Sequence, residues 1–252
     1  MKLKLIAAGI LAACAAGATL RADEGSTAMY VQAHGNAILL TNADANNYFN
    51  VNDQIGTQGY AGGAIDVGWQ IRREAAIEVG FGLGPFRNYD EAYYNQGSNT
   101  FATGQVKTDW NLYTWAVTPA LTWTGPGYVH LLGLHLGLST LAGQVTNGEN
   151  GLDGSVNQVG YTPDIGVVLR TTYILAHHVS FGLELGWDYI VFNSITNSDG
   201  SGTYAGLNGT AHNADGGQTS LNFSGPHLGV VIGLWSRDPG GRGGERDRDL
   251  QE

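Results

Sequence analysis

The sequence predicts an all-β fold in which eight antiparallel strands close into an up-and-down barrel. Segments of about ten residues alternate between apolar and small or polar side chains, which is the period of a half-buried strand. The connections between these segments alternate between tight turns and long polar loops. Charged residues make up only 13% of the 252 residues, and 39 residues are Gly but only 6 are Pro. This composition suits packed strands better than a disordered chain.

The first four strands are each defined by apolar residues at every second position. These apolar positions include Met29 and Val31 in the first strand, Ile65 and Trp69 in the second, Val79 and Phe81 in the third, and Trp115 and Trp123 in the fourth. Small or polar residues occupy the positions between them. We therefore predict strands at residues 28–40, 60–71, 75–86 and 106–123.

The last four strands repeat the pattern. Their apolar positions include Leu132 and Leu134 in the fifth strand, Ile165 and Val167 in the sixth, Phe181 and Leu183 in the seventh, and Val230 and Ile232 in the eighth. The predicted strands are residues 128–145, 160–175, 179–197 and 220–235. No helical period follows residue 26, so the pattern predicts no helix in the barrel.

The connections assign the two ends of the barrel. Tight turns are predicted at residues 72–74, 124–127 and 176–178, and long polar loops at 41–59, 87–105, 146–159 and 198–219. Because short and long connections alternate between antiparallel strands, all the short turns lie at one end and all the long loops at the other.

The apolar face carries too much volume to be the interior of this barrel. An eight-stranded lumen is only just wide enough to be filled by side chains, and small or polar residues suit it better. The apolar face is therefore predicted to contact lipid in a transmembrane barrel, with the small and polar residues lining the lumen. The predicted interfacial anchors are Tyr128, Trp123, Tyr173 and Trp69 near the short turns, and Trp110, Trp187, Tyr189 and Tyr161 near the long loops.

The two termini differ from the barrel in composition. Lys2 and Lys4 precede a short apolar run and small residues, which is the pattern of a cleaved signal peptide. Cys14, the only cysteine, lies in "LAAC", which is similar to a lipoprotein cleavage box; an ordinary signal peptide is favoured, and lipidation stays open. The predicted divisions are a signal peptide at 1–22, a barrel at 23–235 and a polar, disordered periplasmic tail at 236–252.

The charge argues against one class of partner. The chain carries a formal charge of −10, and loss of residues 1–22 removes Lys2, Lys4 and Arg21 but no acidic residue, which gives −13. Nucleic-acid affinity depends on cationic side chains that neutralise phosphates, so nucleic acid is not an expected partner.

Residues 227–235, "HLGVVIGLW", resemble the last-strand assembly signal of outer-membrane proteins, with Trp235 as the terminal aromatic residue. With the eight strands and the alternating loops, the chain resembles the small eight-stranded outer-membrane barrels of Gram-negative bacteria, of the OmpA transmembrane-domain and OmpX type. The resemblance implies a monomer in the bacterial outer membrane that contacts outer-membrane lipid and lipopolysaccharide. It also implies insertion by the barrel-assembly machinery through the last strand, and the few residues after Trp235 leave no room for a peptidoglycan-binding domain.

Charged residues on the luminal face are the candidate functional site. If the sixth and seventh strands turn around His177, Arg170 and Glu184 face each other directly and can form an ion pair. The other carboxylates expected with Arg170 on the luminal face are Glu78, Asp66, Asp164 and Asp188, and the predicted network or gate consists of Arg170, Glu184, Glu78, Asp66 and Asp188. We favour the interpretation that the network plugs a closed lumen; the alternative is a gate in which Arg170 exchanges carboxylate partners and opens a narrow, cation-preferring pore.

The sequence does not favour catalysis or metal binding. His178 and Ser180 could belong to a nucleophilic set, but they are predicted on the luminal face beside a short turn, far from outer-leaflet lipid. The histidines His34, His130, His135 and His227 have no paired ligand spacing and are interpreted as luminal or interfacial filler, not as metal ligands. No catalytic residue, metal site or cofactor is therefore predicted.

The expected function is that of an outer-membrane barrel with a structural or adhesin-like role, presenting four long extracellular loops whose ligand the sequence does not identify. A narrow small-solute channel gated by Arg170 and the luminal carboxylates is the alternative. A lipid-modifying barrel enzyme is the third possibility.

Overall fold

The computed structural model describes residues 28–39, 59–72, 74–95, 100–147, 154–176, 178–202, 205–206, 208–211 and 220–236. The predicted signal peptide and nearly all of the predicted tail lie outside the described residues, and so do most residues of the predicted loop 41–59.

The described chain consists of strands and their connections. The strands are β1 (Ala28–Leu39), β2 (Gly59–Arg72), β3 (Ala75–Asn95), β4 (Thr100–Gly125), β5 (Tyr128–Asn147), β6 (Gly154–Ala176), β7 (Val179–Phe192), β8 (Ile195–Gly202), β9 (Gly209–Thr210), β10 (Leu221–Asn222) and β11 (Gly225–Trp235). No helix in the described part of the chain is long and apolar enough to cross a membrane.

Eight of these strands form a closed antiparallel ring. From β1 to β7 each strand pairs with the next, and β11 closes the ring by pairing with both β7 and β1. The closing seam runs in register from Tyr30 opposite Trp235 to Ile38 opposite His227. The prediction of an eight-stranded antiparallel up-and-down barrel is confirmed. Three short strands are added at the long-loop rim, where β8 pairs with β6, β9 with β8 and β10 with β7.

The two faces of the ring follow the predicted alternation. Along β7 exposed residues alternate with buried ones, so that Leu183 and Leu185 lie outside while Ser180 and Glu184 lie inside. The same alternation puts bands of Leu, Val and Ile, with Trp115, on the outer surface of the other long strands. Backbone groups in the ring pair with neighbouring strands, which is the requirement for a segment that crosses lipid.

The strands at the long-loop rim extend further than the sequence pattern predicts. Residues 87–105 are predicted as a loop, but β3 and β4 continue to pair through this region as far as Asn95 opposite Thr100. The seventh strand is predicted to reach residue 197, but β7 ends at Phe192 and β8 then pairs with β6. In this rim region the apolar alternation stops but the backbone pairing of β3 and β4 continues, and the sequence pattern detects only the alternation.

The prediction that Trp110 is an interfacial anchor is wrong. Trp110 is only 1% exposed, and its indole N–H donates to Gln158 Oε1 at 3.2 Å, so it lies inside the barrel. Leu141, Val145 and Phe192, towards the same rim, are also fully buried. Position 110 shares the inward parity of Leu112, which explains the error.

The chain ends of the barrel meet at the short-turn rim. Ser236 still pairs with β1, because its backbone N–H donates to the Met29 carbonyl oxygen at 2.7 Å and its hydroxyl accepts from the Met29 N–H at 2.9 Å. The terminal aromatic residue of the last strand, Trp235, faces the lumen and is 5% exposed. The apolar outer face of β11 therefore ends at Leu234.

Candidate functional site

Arg170 is the centre of the luminal polar network. The strand register places it directly opposite Glu184, as the turn around His177 predicts. Its Nε donates to Glu184 Oε2 at 2.7 Å. Its Nη1 donates to Gln32 Oε1 and to Glu78 Oε1, both at 2.6 Å, and its Nη2 donates to Asp66 Oδ2 at 3.3 Å. A single guanidinium thus joins side chains from β1, β2, β3, β6 and β7.

The groups around Arg170 are removed from water. Arg170 is 3% exposed, and Glu78 and Glu184 are as deeply buried. The phenol of Tyr30 donates to Glu78 Oε1 at 2.7 Å, so this carboxylate is held from two sides. Burying charge is costly unless the charges are paired and hydrogen-bonded, and here the contacts meet both conditions.

His34 and His227 extend the network, although the sequence alone leads us to interpret them as filler. His34 has Nε2 at 2.9 Å from Asp66 Oδ2 and Nδ1 at 3.2 Å from Glu184 Oε2. His227 has Nε2 at 3.4 Å from Glu184 Oε1 and Nδ1 at 2.9 Å from Asp188 Oδ2. These are ion-pair distances; His34 Nε2 and both His227 nitrogens lack hydrogen-bond geometry. The predicted residue Asp188 is attached to the network through His227. We call Gln32, His34, Asp66, Glu78, Arg170, Glu184 and His227 the Arg170 layer.

A second polar group lies nearer the long loops. His135 Nε2 is 3.3 Å from Asp164 Oδ2, and the Ser139 hydroxyl donates to the same oxygen at 3.1 Å. Ser139 also shares a 3.1 Å hydrogen bond with Thr114. Within the described residues, the buried Asp164 Oδ1 atom has no hydrogen-bond partner, and His135 Nε2 has only the ion-pair contact. We call Thr114, His135, Ser139 and Asp164, with the neighbouring Asp188, the Asp164 layer.

Luminal glycines make room for the polar side chains. A Cβ on Gly80 would lie 2.2 Å from Asp66 Oδ1, and one on Gly166 would lie 2.0 Å from Asp188 Oδ1. A Cβ on Gly186 would lie 2.3 Å from His227 Cε1. The alternating glycines therefore have a steric role, since each leaves space for a charged or imidazole group from the neighbouring strand.

An aromatic pair closes the short-turn side of the Arg170 layer. The rings of Tyr30 and Trp235 stack with centroids 4.3 Å apart, and Ala28 and Val129 pack against them. The Trp235 indole N–H donates to Ser180 Oγ at 2.9 Å. Every polar atom that these two aromatic rings carry into the lumen thus has a partner.

Two separate cavities lie among the described luminal residues, and Arg170 lines both. The cavity on the long-loop side has a volume of about 100 Å³ and is also lined by His135, Asp164 and Asp188. The cavity on the short-turn side has about 10 Å³, about the least volume that can hold one water molecule, and is also lined by Trp235.

The candidate nucleophilic pair is used structurally. Ser180 is fully buried and accepts the hydrogen bond from the Trp235 indole. His178 Nδ1 lies 2.9 Å from the carbonyl oxygen of Trp235, at the short-turn rim. Both side chains therefore fix the end of the last strand, and neither is aimed at the lipid-facing surface.

The structure thus brings Arg170, Glu184, Glu78 and Asp66 into direct contact and attaches Asp188 through His227. The sequence reasoning missed the participation of Gln32, His34 and His227. Their inward parity is visible in the sequence, but their convergence on Arg170 depends on how the closed ring is staggered, which the alternation alone does not specify.

No protein-family model matches the chain, and no curated protein matches it either. The similarities found are to solved structures. Outer membrane protein OprG from Pseudomonas aeruginosa is similar with a TM-score of 0.54 and 10% identity, over 84% of this chain and 97% of OprG. A major outer membrane protein from Thermus thermophilus is similar with a TM-score of 0.50 and 13% identity, over 83% of this chain and 99% of that protein.

Neisserial surface protein A superposes with a TM-score of 0.49 and 15% identity, over 82% of this chain and 97% of that protein. At these identities the likeness concerns the fold and leaves function open. The first two similarities and the closed ring lead to one conclusion: the chain has the fold of a small bacterial outer-membrane β-barrel.

Proposed function

We propose that this protein is an integral bacterial outer-membrane barrel with a closed lumen and a structural or adhesin-like role, which presents its long loops to the outside. The observation that carries the proposal is the filled interior. Arg170 and its partners occupy the middle of the lumen, and the Tyr30–Trp235 stack fills its short-turn end. A barrel whose interior is occupied by mutually paired side chains is suited to anchoring and presenting loops.

The outer surface supports membrane integration. The exposed face of the long strands carries large apolar residues, for example Leu136, Leu169 and Leu185, at 43%, 49% and 55% exposure. Trp123 and Tyr173 lie exposed near the short turns, and Tyr161 and Tyr189 near the long loops. Two aromatic rims on either side of an apolar band are typical of barrels that cross an outer membrane.

The proposal includes the partners that such a barrel needs. Outer-membrane lipid and lipopolysaccharide would contact the apolar band, and the barrel-assembly machinery would receive the last strand. The outer face of β11, with Leu228, Val230, Ile232 and Leu234 all exposed, is the feature that supports recognition of this strand. A single closed ring leaves no strand edge that requires a second copy, which supports a monomer.

Planar-bilayer recording tests the closed lumen. Purified wild-type protein is expected to give no discrete single-channel current, because the described lumen offers a continuous path past Arg170 only if side chains move. Fractionation of expressing cells tests the location. Recovery in the soluble fraction, or the absence of a heat-dependent shift in gel mobility, would contradict the barrel proposal itself.

The adhesin-like role needs a separate test. Cells that express the full protein are compared with cells that express a variant in which residues 198–219 are replaced by a short turn, with surface amounts matched by antibody. We expect the shortened variant to insert normally and to lose attachment to host-cell or matrix surfaces. Equal attachment by both would remove this loop from the proposed role.

A gated channel is the second candidate, and one observation favours it. Arg170 contacts three carboxylates, Glu184, Glu78 and Asp66, so it can exchange partners without losing all its ion pairs. The remaining acidic groups would make an open lumen prefer cations. If Arg170→Ala conducts cations while the wild type opens rarely, the gate is supported; no current from either protein would exclude it.

A further inference from the structure

We propose that His135, Asp164 and Asp188 form a binding site for a divalent transition-metal cation of the Zn²⁺ type in the long-loop half of the lumen. This inference goes beyond the proposed anchoring function and does not depend on it. Each of the three side chains offers one ligand atom, and all three atoms lie within 4.8 Å of one another. Ligand atoms of a tetrahedral zinc site, each about 2.1 Å from the metal, lie about 3.4 Å apart, so side-chain movements of about 1 Å would bring the three atoms to binding distance.

The strand register explains how the three residues converge. His135 of β5 is opposite Gly166 of β6, and Gly166 is opposite Asp188 of β7. Asp164 is the next inward-facing residue on the same strand as Gly166. The imidazole and the Asp188 carboxylate therefore flank a position without a side chain. A Cβ on Gly166 would lie 2.0 Å from Asp188 Oδ1, so the glycine keeps this position open.

The second observation is that two buried polar atoms, on side chains that line the same cavity, lack hydrogen bonds. Asp164 is 1% exposed, lines the cavity of about 100 Å³, and has an Oδ1 atom without a hydrogen-bond partner among the described residues. The buried Nε2 atom of His135 approaches the same carboxylate at 3.3 Å without hydrogen-bond geometry. Buried polar groups are nearly always satisfied, so these two atoms, which belong to side chains that line one cavity, point to a ligand that would satisfy them.

The donor set fits the proposed class of cation. One imidazole nitrogen and two carboxylate oxygens suit zinc and related first-row divalent ions. The ligands also have supporting partners. Ser139 donates to Asp164 Oδ2, and His227 lies 2.9 Å from Asp188 Oδ2, so both carboxylates are held in orientation.

The experiment uses the full mature chain without a histidine tag, folded in detergent and freed of metal with EDTA. Isothermal titration with Zn²⁺ is compared for the wild type, His135→Gln, Asp164→Asn and the matched control His130→Gln. His130 lies on the same strand but hydrogen-bonds to Thr171 outside this layer, so its loss leaves the proposed ligands intact. Heat-dependent gel mobility establishes that each variant is folded before titration.

We expect one Zn²⁺ per wild-type barrel, unchanged affinity in His130→Gln, and affinity at least about 10-fold weaker in His135→Gln and Asp164→Asn. His135 is the preferred site for the decisive variant because its side chain is 25% exposed and tolerates replacement. Zn²⁺ should also raise the unfolding midpoint of the wild type more than that of His135→Gln. The proposal is overturned if the wild type binds no stoichiometric Zn²⁺, or if binding in His135→Gln equals that of the wild type.

Discussion

The Arg170 layer and the Asp164 layer occupy the same lumen but are organised differently. In the Arg170 layer one guanidinium donates to four side chains, and the carboxylates receive further contacts from Tyr30 and His34. In the Asp164 layer the Asp164 carboxylate receives Ser139 and His135 at Oδ2, and its Oδ1 atom has no hydrogen-bond partner among the described residues. The carboxylates of the Arg170 layer all accept hydrogen bonds from one guanidinium, whereas a carboxylate oxygen of the Asp164 layer is free to bind a ligand.

This difference separates a structural role from a binding role within one polar interior. A network built on one cation resists change, because removal of that cation leaves charges buried without a partner. In the Asp164 layer fewer contacts join the side chains, so the substitution of one of them should lower the free energy of unfolding only slightly. Substitutions should therefore affect stability strongly in the Arg170 layer and weakly in the Asp164 layer.

The largest effect is expected for Arg170→Met. The change leaves Glu184, Glu78 and Asp66 without the guanidinium that they share, which should lower the free energy of unfolding by about 3–5 kcal/mol. Guanidinium chloride unfolding in detergent micelles measures it. The control is Arg72→Met, which removes the same type of side chain from an exposed position at a short turn and should change little. Equal stability of both variants would contradict a structural role for the Arg170 layer.

The next effect compares one carboxylate from each layer. Glu184→Gln removes the charge that accepts from Arg170 and should cost about 1.5–3 kcal/mol, the range for hydrogen bonds to charged groups. Asp164→Asn, measured in EDTA, should stay within about 1 kcal/mol of the wild type, because only neutral donors and one histidine contact the carboxylate. If the order is reversed, the distinction between the layers is wrong.

Two glycines sharpen the comparison sterically. In Gly166→Ala the new methyl group would meet both the flexible Asp188 carboxylate and the Trp187 carbonyl oxygen, at 2.0 and 2.7 Å. In Gly80→Ala it would meet only the end of the Asp66 side chain closely, at 2.2 Å. Overpacking against fixed backbone costs about 1–3 kcal/mol, so Gly166→Ala should unfold at the lower denaturant concentration. It should also abolish Zn²⁺ binding, whereas Gly80→Ala should retain it.

The smallest effect is expected at the short-turn rim. Trp235→Phe keeps an aromatic ring against Tyr30 but removes the N–H that donates to Ser180. The loss of one neutral hydrogen bond should lower stability by about 1 kcal/mol. The temperature at which the folded gel band disappears measures this, and Trp123→Phe on the outer face is the matched control. A shift in Trp235→Phe no larger than in the control would mean that the indole N–H does not stabilise the rim.

Most of the barrel could be predicted from the sequence because lipid imposes a simple code. Wherever a strand crosses lipid, one face must be apolar, so parity and turn positions give the ring and the pairing of Arg170 with Glu184. The code fails above the lipid. There β3 and β4 continue to pair without apolar alternation, and Trp110 turns inward although an aromatic residue near a rim resembles an anchor.

The luminal network was only partly predictable for a different reason. Neighbouring strands can be aligned from their turns, but Gln32 and Glu78 reach Arg170 across the lumen. Contacts of this kind depend on the stagger of the whole ring and on which positions are glycine. The sequence indicated that charged residues face inward, and only the closed structure indicates which of them meet and which oxygen atom remains unsatisfied.

The seam between β1 and β11 has a consequence for biogenesis. It joins the start and the end of the barrel, with Met29 and Ser236 separated by 207 positions in the chain. The other ring strands pair in chain order, with only the short rim strands β8, β9 and β10 between β7 and β11. Until this last pairing forms, β1 and β11 each have an edge of unpaired backbone N–H and C=O groups, and hydrocarbon cannot form hydrogen bonds with them. A chain that ends before Gly225 lacks the strand that closes the ring, so β1 and β7 would each keep an unpaired edge.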